Sequence, residues 1–408
     1  MDQSVRIALL NNPGLQARLA QLGIQDAQRV QLLTLPNPVL SLSRMVSPDE
    51  REIGRQLSVG LVDLITLPWR TRWQGMVVEQ ATLSASQEVL RLAADTRRAW
   101  LRAVAARQQL AASERMHEAA EAGAELARRM ARVGNFSRLQ QARELSIQQD
   151  TAAQLARARL AATAEHEQLA RLMGLWGRRI DFRLPEQLPP LPRAATELRS
   201  GDDAEATALR ERLDLRALRR DLDHLADRQG WARLGAMFGD IGLGYSRNTA
   251  TDRATGHSDV TRGWSIDLPL PLFDWGGAAS ARARAEVLRS ASLLQQGAIQ
   301  ARAEARSNWM RYRTAWDLAH QQQAEVLPLR RFIQDETMLR YNGMFVSVWG
   351  LLAEARSSAQ AVATATDAQR DFWLAETDLQ LALTGTSPGA IQAAASAAAP
   401  TPTNEASH

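Results

Sequence analysis

The chain lacks several residue types on which catalysis commonly depends. It contains no cysteine in 408 residues, which excludes disulfides, thiolate metal sites and thiol nucleophiles. It also contains no lysine, because all 49 basic residues are arginine, and this excludes a phosphate-binding Walker lysine and Schiff-base chemistry. The six histidines are scattered and form no HExxH motif. Since no nucleophile, base and metal ligand can be assembled, the sequence predicts neither an enzyme nor a cofactor.

Aromatic residues and long apolar runs are also scarce. Only 5% of the residues are aromatic, and no apolar run approaches the ~20 residues of a membrane-spanning helix. If the protein crosses a membrane, it must therefore use β-strands. The abundance of Ala, Leu, Gln and Arg favours long helices. Arginines alternate with acidic residues along these helices, and the net charge is only +4, so solvated helix faces are expected rather than nucleic-acid binding.

The order of predicted elements occurs twice along the chain. Each copy begins with a helix, expected at about 4–33 in the first copy, continues through a β-hairpin and ends in a long helical hairpin. The copies cover residues 1–182 and 206–385, and a proline-rich linker at 183–205, which cannot be helical, joins them. The segment 386–408 is rich in Ala, Pro and Thr and is expected to be disordered. The predicted fold class is therefore mainly α with a small β part, built from a duplicated unit.

Alternation of apolar and polar residues predicts one β-hairpin in each copy. The residues on the apolar side are Leu40, Leu42, Leu57, Val59, Leu61, Ile241, Leu243, Tyr245, Trp264, Ile266, Leu268, Leu270 and Leu272. The segment 248–262 is polar and is expected to be a loop. One apolar face and one small or polar face suit a transmembrane barrel with a polar interior. Two hairpins on a soluble sheet would show the same pattern.

Each long helical hairpin reverses at a turn that contains glycine. In the first copy Gly134 is expected to end one helix and Ser137 to cap the next, and in the second copy Gly343 and Ser347 have these roles. Four strands in one chain cannot close a barrel, and strands in a membrane tolerate no open edge. Closure therefore requires oligomers. Three copies of four strands would form a 12-stranded β-barrel, continued by a 12-helix coiled-coil tunnel.

Several segments resemble those of TolC-type outer-membrane efflux proteins. The segment 270–277, LPLFDWGG, followed by an Ala- and Arg-rich helix, resembles the strand-to-helix turn of that family, and LPWR at 67–70 resembles its first-copy counterpart. Asn12-Pro13 and the LPNP at 35–38 are similar to the opening segment of the family. The resemblance extends to about Thr384. Its strand-to-helix turn includes Pro271, Phe273, Asp274, Gly276 and Gly277.

The resemblance implies a homotrimer in the Gram-negative outer membrane, with a periplasmic tunnel that meets a periplasmic adaptor (membrane fusion) protein and an inner-membrane pump of RND or ABC type. It implies that the two helical turns are periplasmic tips that contact the adaptor. The tip residues are Arg132, Gly134, Ser137, Tyr341, Gly343 and Ser347.

The resemblance also implies a pore constriction. Glu354 stands where the family has an acidic pore residue, and three copies would form a carboxylate ring that favours cations and could bind a metal ion. A second acidic position is replaced by Gly350 or Leu351, and Gln140 and Gln141 replace acidic residues in the first copy. A double ring is therefore not expected, and a solvated, salt-bridged Glu354 is the alternative.

Two aspects of the sequence leave alternatives open. The family implies a secretory signal, whereas this sequence begins inside the first helix, so its start is expected to be truncated or misassigned. The exported substrate, whether metal ion, drug or peptide, is not specified by any residue. A soluble coiled-coil scaffold is the alternative function, which would explain the helices but not the matching hairpins in both copies.

Overall fold

The computed structural model describes residues 1–35, 37–201, 203–238, 241–268, 270, 273 and 275–388, without the side chains of residues 32, 62–65 and 233–238. The chain divides into two compact units. The helical unit contains Met1–Gln16, Gln87–Arg212 and the described part of Gln300–His408, and the sheet unit contains Ala17–Ser86 and Leu213–Ile299. Each unit therefore combines residues from both predicted copies.

The predicted order of elements is present in both copies. The first contains α1 (Asp2–Asn11), α2 (Pro13–Leu33), β1 (Val39–Val46), β2 (Glu50–Gly60), α3 (Leu61–Arg132) and α4 (Arg138–Leu172). The second contains α5 (Ala204–Glu211), α6 (Leu213–Phe238), β3 (Gly242–Asp252), β4 (Ser258–Asp267), α7 (Gly277–Gln321), α8 (Leu327–Asn342) and α9 (Val348–Thr384). Of the helices in the described ranges, none combines the length and the apolar composition that crossing a membrane requires.

The opening helix of each copy is interrupted, so the prediction of one continuous helix at 4–33 is wrong. Asn12 separates α1 from α2 in an extended conformation, with ψ of 115°, because the following Pro13 disfavours the helical conformation of its predecessor. The Asn12 side chain partly replaces the helical hydrogen bonds that are missing at this break: it accepts from the Leu15 N–H and donates to the Leu172 carbonyl. Arg212 makes the equivalent break between α5 and α6, with ψ of 127°.

The four strands form one antiparallel sheet in the order β1-β2-β3-β4. Each predicted hairpin is present, and the β2–β3 pairing joins the two copies. Within the described residues, β1 and β4 each pair with a strand on one side only. The sheet therefore has two open edges, each with unpaired backbone N–H and C=O groups.

The register of the sheet separates its two faces. Direct cross-strand partners share a face, and Leu40, Leu57, Tyr245 and Trp264 lie in one such row. The face that carries this row is called the apolar face below. The other, called the polar face, carries small residues such as Gly54, where a Cβ would lie 2.3 Å from the Ser43 hydroxyl. The predicted alternation is thus confirmed for the residues that the four strands contain.

Several of the predicted strand boundaries are wrong. β3 begins after Ile241 and β4 ends at Asp267, so Leu268 and Leu270 lie beyond the strand predicted for them, and Leu272 lies outside the described residues. The segment 248–262 is not a loop, since β3 continues to Asp252 and β4 begins at Ser258. Polar residues there sit in ordinary cross-strand pairs, such as Asn248 with Thr261, which a hydropathy pattern does not detect. Leu61 begins α3 rather than ending a strand, so Pro68 of the predicted step lies inside the helix. Its missing N–H removes only one helical hydrogen bond.

The proline-rich linker contacts α7 and α9 through its backbone carbonyls. The indole N–H of Trp373 and the amide of Gln369 both donate to the Pro189 carbonyl, at 2.9 and 2.6 Å. The Trp316 indole donates to the Pro192 carbonyl at 3.2 Å. Proline carbonyls accept hydrogen bonds although proline donates none, so these bonds hold the extended part of the linker. The linker is not wholly extended, because a short 3-10 helix occupies Ala195–Glu197 and α5 already begins at Ala204.

The fold continues slightly past the predicted tail boundary at 386. Thr386 and Ser387 are buried, and the Ser387 hydroxyl donates to the Glu304 carboxylate on α7. The second copy therefore extends at least to Ser387. The rest of the predicted tail, 389–408, lies outside the described residues.

Candidate functional site

The first helical turn is built as the sequence predicts. Gly134 follows Arg132, the last residue of α3, and has a φ of 80°. The Asn135 N–H donates to the Met130 carbonyl and the Gly134 N–H to the Ala131 carbonyl, at 3.0 and 3.2 Å. This pair of bonds is a Schellman motif, in which glycine supplies the left-handed residue without the steric cost of a Cβ.

The start of α4 uses Gln140 in a capping role. The Ser137 hydroxyl accepts from the Gln140 N–H at 3.2 Å, and the Gln140 side-chain oxygen accepts from the Ser137 N–H at 3.0 Å. These reciprocal bonds form a capping box. The predicted cap at Ser137 is thus present, and Gln140, predicted at the pore constriction, has its side-chain oxygen engaged in fixing the turn.

The second turn ends its helix at Gly343 as predicted, but the left-handed conformation lies one residue later. Gly343 follows α8 but has a φ of −82°, and the left-handed residue is Met344, with a φ of 62°. The Phe345 N–H donates to the Arg340 carbonyl and the Met344 N–H to the Tyr341 carbonyl, both at 2.9 Å. The same Schellman pattern is therefore shifted one position along, so that a residue with a Cβ has the strained conformation. Gly343 instead lies close to the Phe345 ring.

Ser347 caps α9 as predicted, since its hydroxyl accepts from the Gly350 N–H at 3.3 Å. A stacked pair of aromatic rings brings the two turns together: the ring centroids of Phe136 and Trp349 are 4.9 Å apart with planes inclined by 23°. Both turns therefore lie at the same end of the helical unit. Met344 and Phe345 are 94% and 85% exposed.

We call this end the tip surface; it comprises the two turns, 133–137 and 343–347. Large apolar side chains that stay almost fully exposed in the single chain, as Met344 and Phe345 do, are costly to leave in water, and a cluster of them is typical of an interaction surface. The sequence prediction located the turns but missed the apolar residues Phe136 and Trp349. The visible signal was an aromatic residue beside each turn: Phe136 lies four residues after the end of α3, and Trp349 is the second residue of α9.

Glu354 lies within the helical unit, facing α8. Its carboxylate is 4.0 Å from the Arg330 guanidinium, and its side chain is 16% exposed. One carboxylate oxygen is buried without a hydrogen-bond partner in the described residues. Glu354 is therefore ion-paired, as the alternative interpretation of the sequence has it, but more buried than that interpretation assumed.

A second ion pair near the tip surface was not predicted. Glu144 of α4 and Arg356 of α9 approach to 3.7 Å, and both side chains are mostly buried. Long-range partners such as Glu144 and Arg356 have no signal in a single sequence, because only packing decides which helices meet.

Glu125 of α3 is a partly exposed acid close to the end of its helix. Arg128 and Arg129 donate hydrogen bonds to its carboxylate and lower its pKa, Arg129 having the larger effect.

The predicted strand-to-helix turn is described in part. Gly276 has a φ of 72°, and its carbonyl accepts from the Ser280 N–H at 3.0 Å, while Gly277 begins α7. Phe273 is 98% exposed. Pro271 and Asp274 lie outside the described residues.

Among the described residues, no cluster of three or more His, Asp or Glu side chains is arranged to hold a metal ion.

Several solved structures have a fold similar to that of this chain. No protein-family model matches the sequence, and no curated protein matches it. The CmeC outer membrane channel of Campylobacter jejuni has a TM-score of 0.76 and 17% identity, over 95% of this chain and 86% of that chain. A membrane protein from Pseudomonas aeruginosa has a TM-score of 0.75 and 18% identity, over 94% and 93%.

A third similar structure is CusC, whose crystal structures concern folding and transmembrane channel formation. It has a TM-score of 0.72 and 17% identity, over 94% of this chain and 92% of that chain. In each case the similarity spans at least 94% of this chain and at least 86% of the other. The resemblance inferred from the sequence motifs is thus confirmed at the level of the fold.

Proposed function

We propose that this protein is the outer-membrane channel of a Gram-negative tripartite efflux or secretion system. In this role it conducts substrates passively and catalyses no reaction. The observation that carries the proposal is the four-stranded sheet, which has one apolar face, one polar face and two open edges. Its fold is shared with proteins described as an outer membrane channel and as forming a transmembrane channel.

The open edges support a homotrimer. An edge strand in a bilayer leaves backbone groups unpaired at a cost of several kcal/mol each. Pairing β4 of one copy with β1 of the next would satisfy both edges, and three copies would close a 12-stranded barrel. The polar face would then line the lumen, and the helical unit would form the periplasmic coiled-coil tunnel.

The tip surface supports contact with a periplasmic adaptor. Its turns are fixed by Schellman bonds and a capping box, whereas Met344 and Phe345 remain almost fully exposed. A rigid surface with protruding apolar side chains is suited to a protein partner. The adaptor would connect the channel to an inner-membrane pump of RND or ABC type, which would select metal ions or drugs as cargo.

Glu354 is proposed as the constriction residue of the trimer. Its only partner in the described residues is Arg330 at 4.0 Å, so the carboxylate is incompletely satisfied within one chain. We expect Glu354→Gln to weaken block by multivalent cations in single-channel recordings, because a ring of three carboxylates attracts such cations. Glu336→Gln is the matched control, since Glu336 is a more exposed acid paired with Arg340 on α8. Equal block in both variants would place Glu354 outside the pore.

The proposal as a whole is tested by location and mass. The chain would be expressed behind a cleavable secretion signal, the membranes fractionated, and the extracted protein measured by light scattering in detergent. A detergent-requiring trimer in the outer membrane is the expected result. A monomer or dimer that stays in solution without detergent would contradict the proposal and favour the soluble coiled-coil scaffold.

A further inference from the structure

Charges on the sheet are sorted by face. Every acidic residue of the four strands lies on the polar face, and every arginine of the strands lies on the apolar face. The acidic residues are Glu50, Glu52, Asp252, Asp259 and Asp267, and the arginines are Arg44, Arg51, Arg55, Arg247 and Arg262. The cations therefore have no counter-charge from the strands on their own side of the sheet.

Three of these arginines form a row. Arg55 pairs directly with Arg247, and Arg247 pairs directly with Arg262, across three adjacent strands. Adjacent strands are only about 5 Å apart, and like charges directly opposite each other destabilise a sheet. All three side chains are exposed. They have no ion pair or hydrogen bond from their side chains within the described residues.

The row lies at a defined level of the apolar face. The Tyr245–Trp264 pair lies two positions from the arginine row, on the side toward α3, and its ring centroids are 5.0 Å apart. Trp264 is 74% exposed. Exposed aromatic residues on a membrane sheet mark the boundary between hydrocarbon and headgroups. Two residues of strand correspond to about 7 Å, which places the arginine row at the headgroup level.

The remaining two arginines of this face lie farther from α3 than the row does. Arg44 lies one step and Arg51 two steps beyond the row, counted along this face, toward the turns that end the two hairpins. On the α3 side of the aromatic pair the face carries Val59, Leu243 and Ile266. The face is thus apolar on one side of the aromatic pair and cationic on the other.

We propose that the row formed by Arg55, Arg247 and Arg262 binds the phosphate groups of lipid headgroups in the leaflet around the turn end of the sheet. Guanidinium groups bind phosphate oxygens in a bidentate manner, and a phosphate shared by neighbouring arginines removes their mutual repulsion. The occupant is a lipid whose headgroup carries a phosphomonoester, because such a phosphate has nearly two negative charges and three acceptor oxygens for neighbouring guanidinium groups. The proposal rests on the proposed membrane function, since a lipid reaches this face only if the sheet is inserted.

The test compares phosphorylated and dephosphorylated lipid. The full chain would be inserted into phosphatidylcholine nanodiscs that contain a phosphorylated glycolipid or the same glycolipid after phosphatase treatment, and bound lipid would be quantified by native mass spectrometry. We expect selective retention of the phosphorylated form. In the R55Q/R247Q/R262Q variant retention should be roughly 100-fold weaker, because each arginine near a membrane surface contributes about a fivefold effect.

The controls separate this proposal from the membrane function. Replacing Arg18, Arg157 and Arg289 by glutamine removes the same charge from exposed helical positions and should leave retention unchanged. Equal retention by this control and by the sheet variant would overturn the proposal. An inserted, conducting trimer without preference for phosphorylated lipid would overturn the lipid site alone, whereas a chain that inserts into neither nanodisc would overturn both. Displacement of the lipid by low concentrations of inorganic phosphate would indicate an ion site and also overturn it.

Discussion

Replacing Glu304 with alanine is expected to lower the free energy of unfolding by about 1–3 kcal/mol, because the buried Arg212 guanidinium and the Ser387 hydroxyl each lose an acceptor. The Arg212 guanidinium donates to Glu304 at 2.8 Å, and the two side chains are 2% and 19% exposed. Glu304 also accepts from Gln300 and from the Ser387 hydroxyl. One carboxylate therefore connects the α5–α6 break, α7 and the segment after α9.

The matched control lies on the same helix. Glu286 of α7 pairs with Arg282 one turn away, but that arginine is 83% exposed, so Glu286→Ala should change stability by about 0.5 kcal/mol or less. Alanine favours helix at both positions, which leaves the buried contacts of the Glu304 carboxylate with Arg212, Gln300 and Ser387 as the difference. Thermal unfolding in detergent, followed by circular dichroism, measures both variants. Glu304→Gln retains an acceptor and should lose less than Glu304→Ala. Equal midpoints for Glu304→Ala and Glu286→Ala would refute a stabilising role for the buried pair.

The sequence is most informative where a single residue type decides the backbone. Gly134 marks a left-handed position, and Ser137 and Ser347 mark helix starts, because few other residues satisfy those requirements at low cost. The sequence is less informative where either of two neighbouring residues could have the left-handed conformation that ends a helix. The second turn places Met344 rather than Gly343 in the left-handed conformation, and only the packing of Phe345 against Gly343 distinguishes the two.

Features that depend on partners far along the chain are not predictable from one sequence. The Arg212–Glu304 and Glu144–Arg356 pairs join residues 92 and 212 positions apart by their numbers. The arginine row likewise depends on register, since a shift of one residue moves every side chain to the other face. Hydropathy alternation predicts that two hairpins exist, but it does not predict that β2 and β3 pair so as to align Arg55 with Arg247.

Cysteines placed on the two open edges are expected to convert the protein almost completely into a covalent trimer. Ser41→Cys on β1 and Thr261→Cys on β4 both lie on the polar face. The native chain has no cysteine, so a short bismaleimide would react only at these sites. If β4 of one copy lies beside β1 of the next, a denaturing gel should show a band at three times the 45.0 kDa chain mass.

The outcome follows from how edges close. An interface between two different edges forms a ring when the rotation closes and an open filament when it does not. Ser58→Cys with Ser246→Cys is the matched control, because these residues lie on β2 and β3 in the interior of the sheet and should link only within one chain. A ladder of bands beyond three chains would indicate uncontrolled edge pairing, and monomer alone would show that the edges do not meet. Either result would exclude closure by three copies, whereas a trimer band from the edge pair alone would establish that the lumen is completed by neighbouring chains.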